Sequence, residues 1–192
     1  MLQEHRSGEP VAVAVVCHPH PLYGGTLHNK VVHRVASTLH ALGAAVLRFN
    51  FRGVGRSQGR FDQGAGELDD ARAAMGFMRS RWPRAHVWLG GFSFGAWIAA
   101  RLAAEEVAVE RLLLVAPPVD THSFEPLRRA GVPKLVIQGS ADTTCPPASL
   151  AAEFRYWAEP KRLVVVEGAS HFFDRKLEPL AQAVRSLFSP PP

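Results

Sequence analysis

The sequence contains only two cysteines, Cys17 and Cys145, and they do not lie in a CxxC motif. A disulfide framework or a cysteine-based metal site is therefore not indicated, and two thiols in a reducing compartment are the simpler interpretation. Long hydrophobic runs are also lacking, since the early apolar run at residues 11–17 suits a buried strand and is far shorter than a membrane helix. The first ten residues lack the features of a secretory signal, and we therefore expect a cytoplasmic protein.

Lysine is scarce, with four among the 22 basic residues, and no dense basic cluster occurs. The net charge is +5, but the arginines are spread along the chain. A nucleic-acid site or an anionic-membrane site would need a more concentrated basic patch. We therefore expect neither nucleic acid nor membrane as a partner, and the sequence does not indicate an oligomeric state.

Length and composition indicate one folded unit. The chain has 192 residues, of which 47% are hydrophobic and 20% are charged. These values are typical of one globular domain and are low for two. We predict a single domain over residues 1–192, in which the proline-rich end at 190–192 is a loose tail.

Apolar runs alternate with helical patterns along the whole chain. Several runs are nearly continuous in Val, Leu and Ala, as expected for parallel strands that are covered on both faces. This alternation predicts an α/β fold, with a mostly parallel central sheet of about six strands and helices on both faces. The expected strands are residues 11–17, 44–51, 86–90, 111–115, 134–138 and 162–166.

One serine lies at a junction between a predicted strand and a predicted helix. The segment Gly91-Phe92-Ser93-Phe94-Gly95 matches G-x-S-x-G, in which a nucleophile projects from a strained turn and glycines leave space on either side. The following helix directs its amino end at this position, which favours developing negative charge. This arrangement predicts that Ser93 is a catalytic nucleophile.

A serine nucleophile needs a base, and the base needs a group that orients it. His171 follows the last predicted strand, and Asp142 follows the strand before it in a Gly-x-x-Asp turn. The chain order Ser93, Asp142, His171 would bring all three to the carboxyl edge of a parallel sheet. Asp120 is a rival acid at the end of another strand, whereas Asp174 is too close to His171 in sequence to be a natural partner.

Together these motifs resemble the α/β-hydrolase superfamily over nearly the whole chain. The motifs are the segment VVCHPHPLYGGT, the segment FNFRGVGRSQG and the elbow GFSFGA. The HPHPLYGG form is similar to a group of small bacterial serine hydrolases that are related to dienelactone-hydrolase-like enzymes. The dienelactone-hydrolase-like enzymes have cysteine at the elbow, where this chain has Ser93. The resemblance implies an α/β-hydrolase fold, a catalytic triad and an oxyanion hole.

The resemblance also implies where the oxyanion donors lie. Phe94 follows the nucleophile, so its backbone N–H is expected to be one donor. The second donor is expected in the loop at residues 18–25, where the prolines have no N–H. His20, Leu22 and Tyr23 remain as alternatives, and Leu22 is preferred among them. The two histidines of the HPHP segment are interpreted as shaping this loop rather than as metal ligands.

The segment at residues 116–133 is short for a family that often inserts a lid at this place, and it must also hold a connecting helix. We therefore predict a fold without a lid domain. The first antiparallel strands of the family are expected to be absent or much shortened. Several apolar residues near the site could form a wall for a substrate, and ordinary core packing is the alternative, which is favoured for Trp97. They are Leu22, Tyr23, Phe92, Phe94, Trp97, Phe172 and Phe173.

The sequence thus predicts a serine hydrolase that cleaves small carboxylic esters through an acyl-enzyme on Ser93, without cofactor or metal. A thioesterase, an amidase or a peptidase with the same triad is the first alternative. A binding protein that retains the fold without catalysis is the second.

Overall fold

The computed structural model describes residues 1–4, 9–106 and 108–188, which form seven strands and five α-helices around one sheet. The strands are β1 (Leu2–Gln3), β2 (Ala12–Cys17), β3 (Ala44–Arg48), β4 (His86–Phe92), β5 (Arg111–Val115), β6 (Lys134–Gly139) and β7 (Lys161–Val166). The helices are α1 (Lys30–Ala41), α2 (Ala65–Arg81), α3 (Phe94–Glu105), α4 (Pro147–Phe154) and α5 (Leu177–Phe188). Two 3₁₀ helices, Pro21–Tyr23 and Glu125–Arg128, lie in the connections.

The strands form one sheet in the order β1-β3-β2-β4-β5-β6-β7. Every pairing is parallel except that of β1 with β3, which is antiparallel. A parallel sheet needs crossover helices, and these cover both of its faces, which explains why the central strands consist mainly of buried apolar residues. The fold is therefore the mostly parallel α/β fold that the sequence predicts.

Alternate residues of each strand face opposite sides of the sheet, so the core is divided into two layers. On one side, Val13 and Val15 of β2 pack in a cluster with buried residues of α2 and α3. On the other side, Ala14 and Val16 pack in a cluster with residues of α1 and α5. The central strands are therefore packed on both faces, and they position the loops that follow their carboxyl ends.

Four connections leave the carboxyl edge of the sheet close to one another. β2 leads into the loop at residues 18–25, β4 leads directly into α3 through Ser93, and β6 and β7 lead into the loops that carry Asp142 and His171. Because β2, β4, β5, β6 and β7 are successive neighbours in the sheet, these loops meet at one edge. The candidate site lies there.

The structure corrects several details of the sequence prediction. The sheet has a seventh strand, because β1 adds two antiparallel residues at one edge. The expected connecting helix in the segment 116–133 is only the 3₁₀ helix Glu125–Arg128, and the segment holds no lid. The expected loose tail at 190–192 lies outside the described residues. Within the part of the chain that the structure describes, no helix is both long and apolar enough to cross a membrane.

Candidate active site

Ser93 lies between the last residue of β4 and the first residue of α3, in a backbone conformation that L-residues rarely adopt. Its φ is 54° and its ψ is −121°. The backbone N–H of Ser93 donates to the Val115 carbonyl oxygen at 2.9 Å, which ties the turn to the neighbouring strand β5. Strain of this kind persists only where the surrounding structure fixes it, and it is concentrated at functional sites.

Both glycines of the elbow are required by close backbone contacts. A Cβ on Gly91 would lie 2.1 Å from the Gly95 carbonyl oxygen, and a Cβ on Gly95 would lie 2.4 Å from the Cys17 carbonyl oxygen. These distances are far below van der Waals contact, so no larger residue fits without a backbone shift. The glycines therefore allow β4, α3 and the end of β2 to approach closely around Ser93.

The side chains of Ser93, His171 and Asp142 form one line of hydrogen bonds. The Nε2 atom of His171 lies 3.2 Å from the Ser93 Oγ atom. The Nδ1 atom lies 2.8 Å from the Asp142 Oδ2 atom. Since both ring nitrogens are engaged, one tautomer is favoured, in which Nδ1 donates to the carboxylate and Nε2 accepts from the hydroxyl. This is the arrangement in which an imidazole can take a proton from a serine.

Asp142 is buried, and each of its carboxylate oxygens is hydrogen-bonded. Oδ1 accepts the backbone N–H groups of Thr144 at 2.9 Å and Cys145 at 2.8 Å. Oδ2 accepts the Gln138 side-chain amide at 3.0 Å in addition to the His171 ring. Burial alone raises the pKa of this carboxyl, but these hydrogen bonds outweigh it and hold the pKa below its usual value. Asp142 is therefore ionised at neutral pH and can stabilise a protonated imidazole.

The two rival carboxylates do not reach the histidine ring. Asp120 is exposed, and both nitrogens of His171 are engaged by other residues. Asp174 forms an ion pair with Lys30 and accepts the Ser170 hydroxyl at 3.0 Å. Of the three candidate acids, only Asp142 occupies the orienting position.

The hydrogen-bond partners of the backbone N–H groups near Ser93 show which of these groups are free to bind an oxyanion. Phe94 is the first residue of α3, and its N–H makes no hydrogen bond within the described residues. In the loop after β2, Leu22 N–H donates to the Nδ1 atom of His20 at 3.2 Å, and Tyr23 N–H donates to the His20 carbonyl oxygen at 3.1 Å. His20 N–H has no partner in the part of the chain that the structure describes. The rings of His20 and Phe94 are 4.9 Å apart.

These contacts correct the preference for Leu22 as the second donor. Its N–H is used within the 3₁₀ turn, where the His20 ring serves as the acceptor that caps it. Tyr23 is excluded on the same ground. His20, one of the three alternatives, is the residue with an unused N–H, and we assign the second donor to it as part of the proposal below.

His18 holds this loop in place. Its ring is fully buried, with the Nδ1 atom 2.6 Å from the Pro19 carbonyl oxygen and the Nε2 atom 3.0 Å from the backbone nitrogen of Phe51. Nδ1 therefore donates, and Nε2 accepts. Burial lowers the pKa of His18 to about 4, so the ring is neutral at pH 7. The two histidines of the HPHP segment thus shape the loop, as the sequence predicts.

Among the described residues, one group of side chains could hold a metal ion, because its ligand atoms lie within 4.8 Å of one another. The group is Asp142, Cys145 and His171. The first and third of these already hydrogen-bond to each other. Burial raises the pKa of the Cys145 thiol to about 12, so the thiol is protonated and is a poor ligand. The arrangement fits a hydrogen-bonded triad better than a metal centre.

A cavity of about 250 Å³ opens onto Ser93 and His171. Tyr23 and Phe172 line it, and Tyr23 is largely exposed while Phe172 is about half exposed. The other lining residues are Pro19, His20, Gly24, Gly25, Asn29 and Thr144. The expected aromatic wall is therefore limited to two of the seven residues considered. Phe92, Phe94 and Phe173 are buried in the core, and Leu22 and Trp97 do not line the cavity.

A larger cavity of about 500 Å³ lies at the opposite edge of the sheet. Its lining includes Arg111, Lys134 and Lys161, which are the first residues of β5, β6 and β7. This cavity is far from the aligned Ser93, His171 and Asp142 side chains, so its size does not identify it as the place of chemistry. The smaller cavity contains the reactive groups.

Sequence reasoning missed two residues of the site. Gln138 is fully buried and donates to both Asp142 and the Cys145 carbonyl oxygen. A glutamine at the end of an otherwise apolar strand was a sign of this role, since buried polar side chains are usually hydrogen-bonded. Asn29 lines the cavity, and its position just before α1 indicated a helix cap but nothing about the cavity.

Comparison with known proteins finds a matching family and a similar bacterial protein. The family described as "Serine aminopeptidase, S33" matches residues 8–130 of this chain. An uncharacterized protein of Rickettsia prowazekii (strain Madrid E) is 38% identical over 181 residues, which span 90% of this chain and 76% of that protein.

Two solved structures are similar over nearly the whole chain. An α/β serine hydrolase homologue from Coxiella burnetii is 42% identical, with a TM-score of 0.92, and the match covers 97% of this chain and 90% of that one. An α/β serine hydrolase without a lid from Xanthomonas campestris is 39% identical, with a TM-score of 0.87, and the match covers 100% of this chain and 88% of that one.

Proposed function

Because the chain belongs to the α/β serine hydrolases, within the family described as serine aminopeptidase, S33, we propose that it cleaves small carboxylic esters through an acyl-enzyme on Ser93. One observation carries this proposal. The hydroxyl of Ser93, the ring of His171 and the carboxylate of Asp142 are joined by hydrogen bonds of 3.2 and 2.8 Å beside an open cavity. A serine hydroxyl near neutral pH becomes an effective nucleophile when such a base adjoins it.

In the first half of the reaction, the Ser93 Oγ atom attacks the ester carbonyl carbon while His171 Nε2 takes the hydroxyl proton. The carbonyl oxygen becomes an oxyanion, which the backbone N–H groups of Phe94 and His20 bind. The ionised carboxylate of Asp142 stabilises the imidazolium. When the tetrahedral intermediate collapses, the carbon–oxygen bond to the alcohol breaks, and the alcohol leaves with the proton from His171.

In the second half, water replaces the alcohol. His171 takes a proton from the water, whose oxygen attacks the acyl carbon of the ester formed on Ser93. The second tetrahedral intermediate collapses, the bond to Oγ breaks, and the serine recovers its proton from His171. The acid is released, and the enzyme returns to its starting state using only the groups named.

The size and exposure of the cavity support small substrates. Its volume of about 250 Å³ is below the range of about 300–1,000 Å³ that is typical of sites for drug-sized ligands. The segment 116–133, where a lid would be inserted, contains only a short 3₁₀ helix. A long acyl chain would therefore extend into solvent beyond Tyr23 and Phe172.

Aminopeptidase activity, after which the family is named, is a second candidate, and the cavity argues against it. An aminopeptidase must bind the charged amino end of a peptide, for which a carboxylate partner is the usual device. The residues that line the cavity include no aspartate or glutamate. Thioesters and amides without a charged amino group remain compatible with the same triad, as alternatives to esters.

Ester hydrolysis by the Ser93→Ala variant tests this proposal. We expect kcat for p-nitrophenyl acetate and p-nitrophenyl butyrate to fall by at least about 10⁴-fold, with circular dichroism unchanged. A binding protein without catalysis would cleave neither ester in its wild-type form. Cleavage by Ser93→Ala at the wild-type rate would show that another residue is the nucleophile.

A further inference from the structure

Asn29 contributes a hydrogen-bond donor to the cavity that nothing in the catalytic steps above uses. Its carboxamide oxygen accepts the backbone N–H of Val31 at 2.9 Å and of Val32 at 3.4 Å, which caps the amino end of α1. These bonds fix the oxygen toward the helix. The two-fold geometry of the carboxamide then directs its NH₂ group the other way.

That NH₂ group has no hydrogen-bond partner among the described residues. The NH₂ group is not buried, so it is accessible from outside the protein. Asn29 lines the cavity together with Ser93 and His171. Since its oxygen is turned toward α1, the NH₂ group is the polar part of the side chain that is left to face this space.

The donor is oriented before any substrate binds, which separates it from the exposed hydroxyls of Tyr23 and Thr144. The ring of His20 also lines the cavity, and its Nδ1 atom is used by the Leu22 N–H. Thr144 also lines the cavity, but its exposed hydroxyl rotates freely and can either donate or accept. The carboxamide of Asn29 is held by two bonds at its oxygen and can only donate into the cavity. A fixed donor selects for an acceptor because little side-chain entropy is lost when the bond forms.

We propose that Asn29 is a specificity-determining residue that binds an oxygen acceptor on the part of the ester lying in the cavity. The preferred substrates are then oxygenated small esters, in which an ether, hydroxyl or keto oxygen lies near the ester carbonyl, rather than plain hydrocarbon esters. The inference rests on the proposed function, since it concerns the substrate of the same site. It adds to that function a chemical class of substrate.

Two pairs of esters of matched shape test the inference. For the acyl side, p-nitrophenyl methoxyacetate is compared with p-nitrophenyl butyrate. For the alcohol side, 2-methoxyethyl acetate is compared with butyl acetate. In each pair an ether oxygen replaces one methylene group. The measured quantity is the ratio of kcat/KM for the oxygenated ester to kcat/KM for the hydrocarbon ester, so differences in protein quality cancel.

The variants Asn29→Ser and Asn29→Asp keep a good helix cap while removing the amide donor. We expect the ratio to fall about three- to tenfold in Asn29→Ser for at least one pair, mainly through KM, as loss of one neutral hydrogen bond implies. Asn29→Asp places an acceptor there, and the ratio is expected to fall further. Thermal unfolding near the wild-type temperature would show that the cap is retained.

Asn50 supplies the matched control. Its side-chain oxygen also accepts a backbone N–H, that of Leu27 at 2.8 Å, but the residue does not line the cavity. We expect Asn50→Asp and Asn50→Ser to leave the ratio within about twofold of wild type. If the ratio falls equally in the Asn50 variants, the change in the Asn29 variants comes from a shift of the loop, and the inference is overturned.

The two levels of the account fail separately. The role of Asn29 alone is overturned if the hydrocarbon esters are cleaved in a Ser93-dependent reaction and both ratios are unchanged in Asn29→Ser and Asn29→Asp. Wild-type protein that cleaves none of the four esters, and whose Ser93 does not react with a fluorophosphonate, overturns the proposed function and this inference with it.

Discussion

Backbone strain at Ser93 predicts that glycine at this position makes the protein more stable than alanine does. Ser93 has φ 54° and ψ −121°, a conformation in which a Cβ costs on the order of 1–3 kcal/mol. Both Ser93→Ala and Ser93→Gly lose the hydrogen bond to His171, so comparing the two variants isolates the strain. Glycine is freer in the unfolded chain, which offsets about 0.5–1 kcal/mol of the gain.

The net expectation is that Ser93→Gly is about 0.5–2 kcal/mol more stable than Ser93→Ala, while both are inactive. For a chain of this size, that corresponds to a rise of about 1–8 °C in Tm. Urea denaturation and differential scanning calorimetry measure the difference directly. A Ser93→Gly variant that is equal to or less stable than Ser93→Ala would refute the argument that the elbow holds the nucleophile under strain.

Three further predictions follow from named contacts. Gly91→Ala should destabilise the fold by about 3 kcal/mol or more in urea denaturation, because its Cβ would lie 2.1 Å from the Gly95 carbonyl oxygen. Gly76→Ala in α2 is the control and should not destabilise the fold, because its Cβ would have no neighbour within 4 Å. Asp142→Asn should lower kcat about 10⁴-fold. The pKa of Asp142 in the folded state lies below its ordinary value of 3.8, so the ionised carboxylate stabilises the wild type above about pH 4. The difference in unfolding free energy between wild type and Asp142→Asn should therefore disappear as the pH falls through the folded-state pKa. His18 has a pKa of about 4 in the folded state against 6.5 in the unfolded chain, so wild type should lose up to about 3 kcal/mol of stability between pH 6.5 and 4. His18→Gln should lack that loss, and equal pH slopes for the two proteins would contradict the assignment.

The sheet was predictable because its central strands are buried on both faces. Residues 112–115 of β5, for example, are all apolar, and the structure places their side chains alternately in the two core layers. The proximity of Ser93, Asp142 and His171 was predictable for a related reason, since each follows a parallel strand and such strands end at one edge. The strand β1 was not predictable, because two residues carry no periodic pattern.

The remaining details depend on hydrogen-bond direction, which the sequence does not encode locally. Leu22 and His20 both have an N–H and lie two residues apart, and only the fold of the 3₁₀ turn shows which one is already used. Similarly, Asn29 could be recognised as the residue before a helix, but the direction of its free NH₂ group follows from the cap geometry. The short segment 116–133 predicted correctly that a lid is absent, yet its connecting helix is reduced to a 3₁₀ turn.

Labelling with a fluorophosphonate probe, followed by mass spectrometry of the adduct, tests most directly whether Ser93 is an activated nucleophile. The reaction needs the serine, the base and the oxyanion donors, but it needs no knowledge of the substrate. The account predicts one adduct on Ser93 that is lost in His171→Gln and retained in a control such as Asn50→Ser. No adduct on Ser93, under conditions that label a known serine hydrolase, would contradict it.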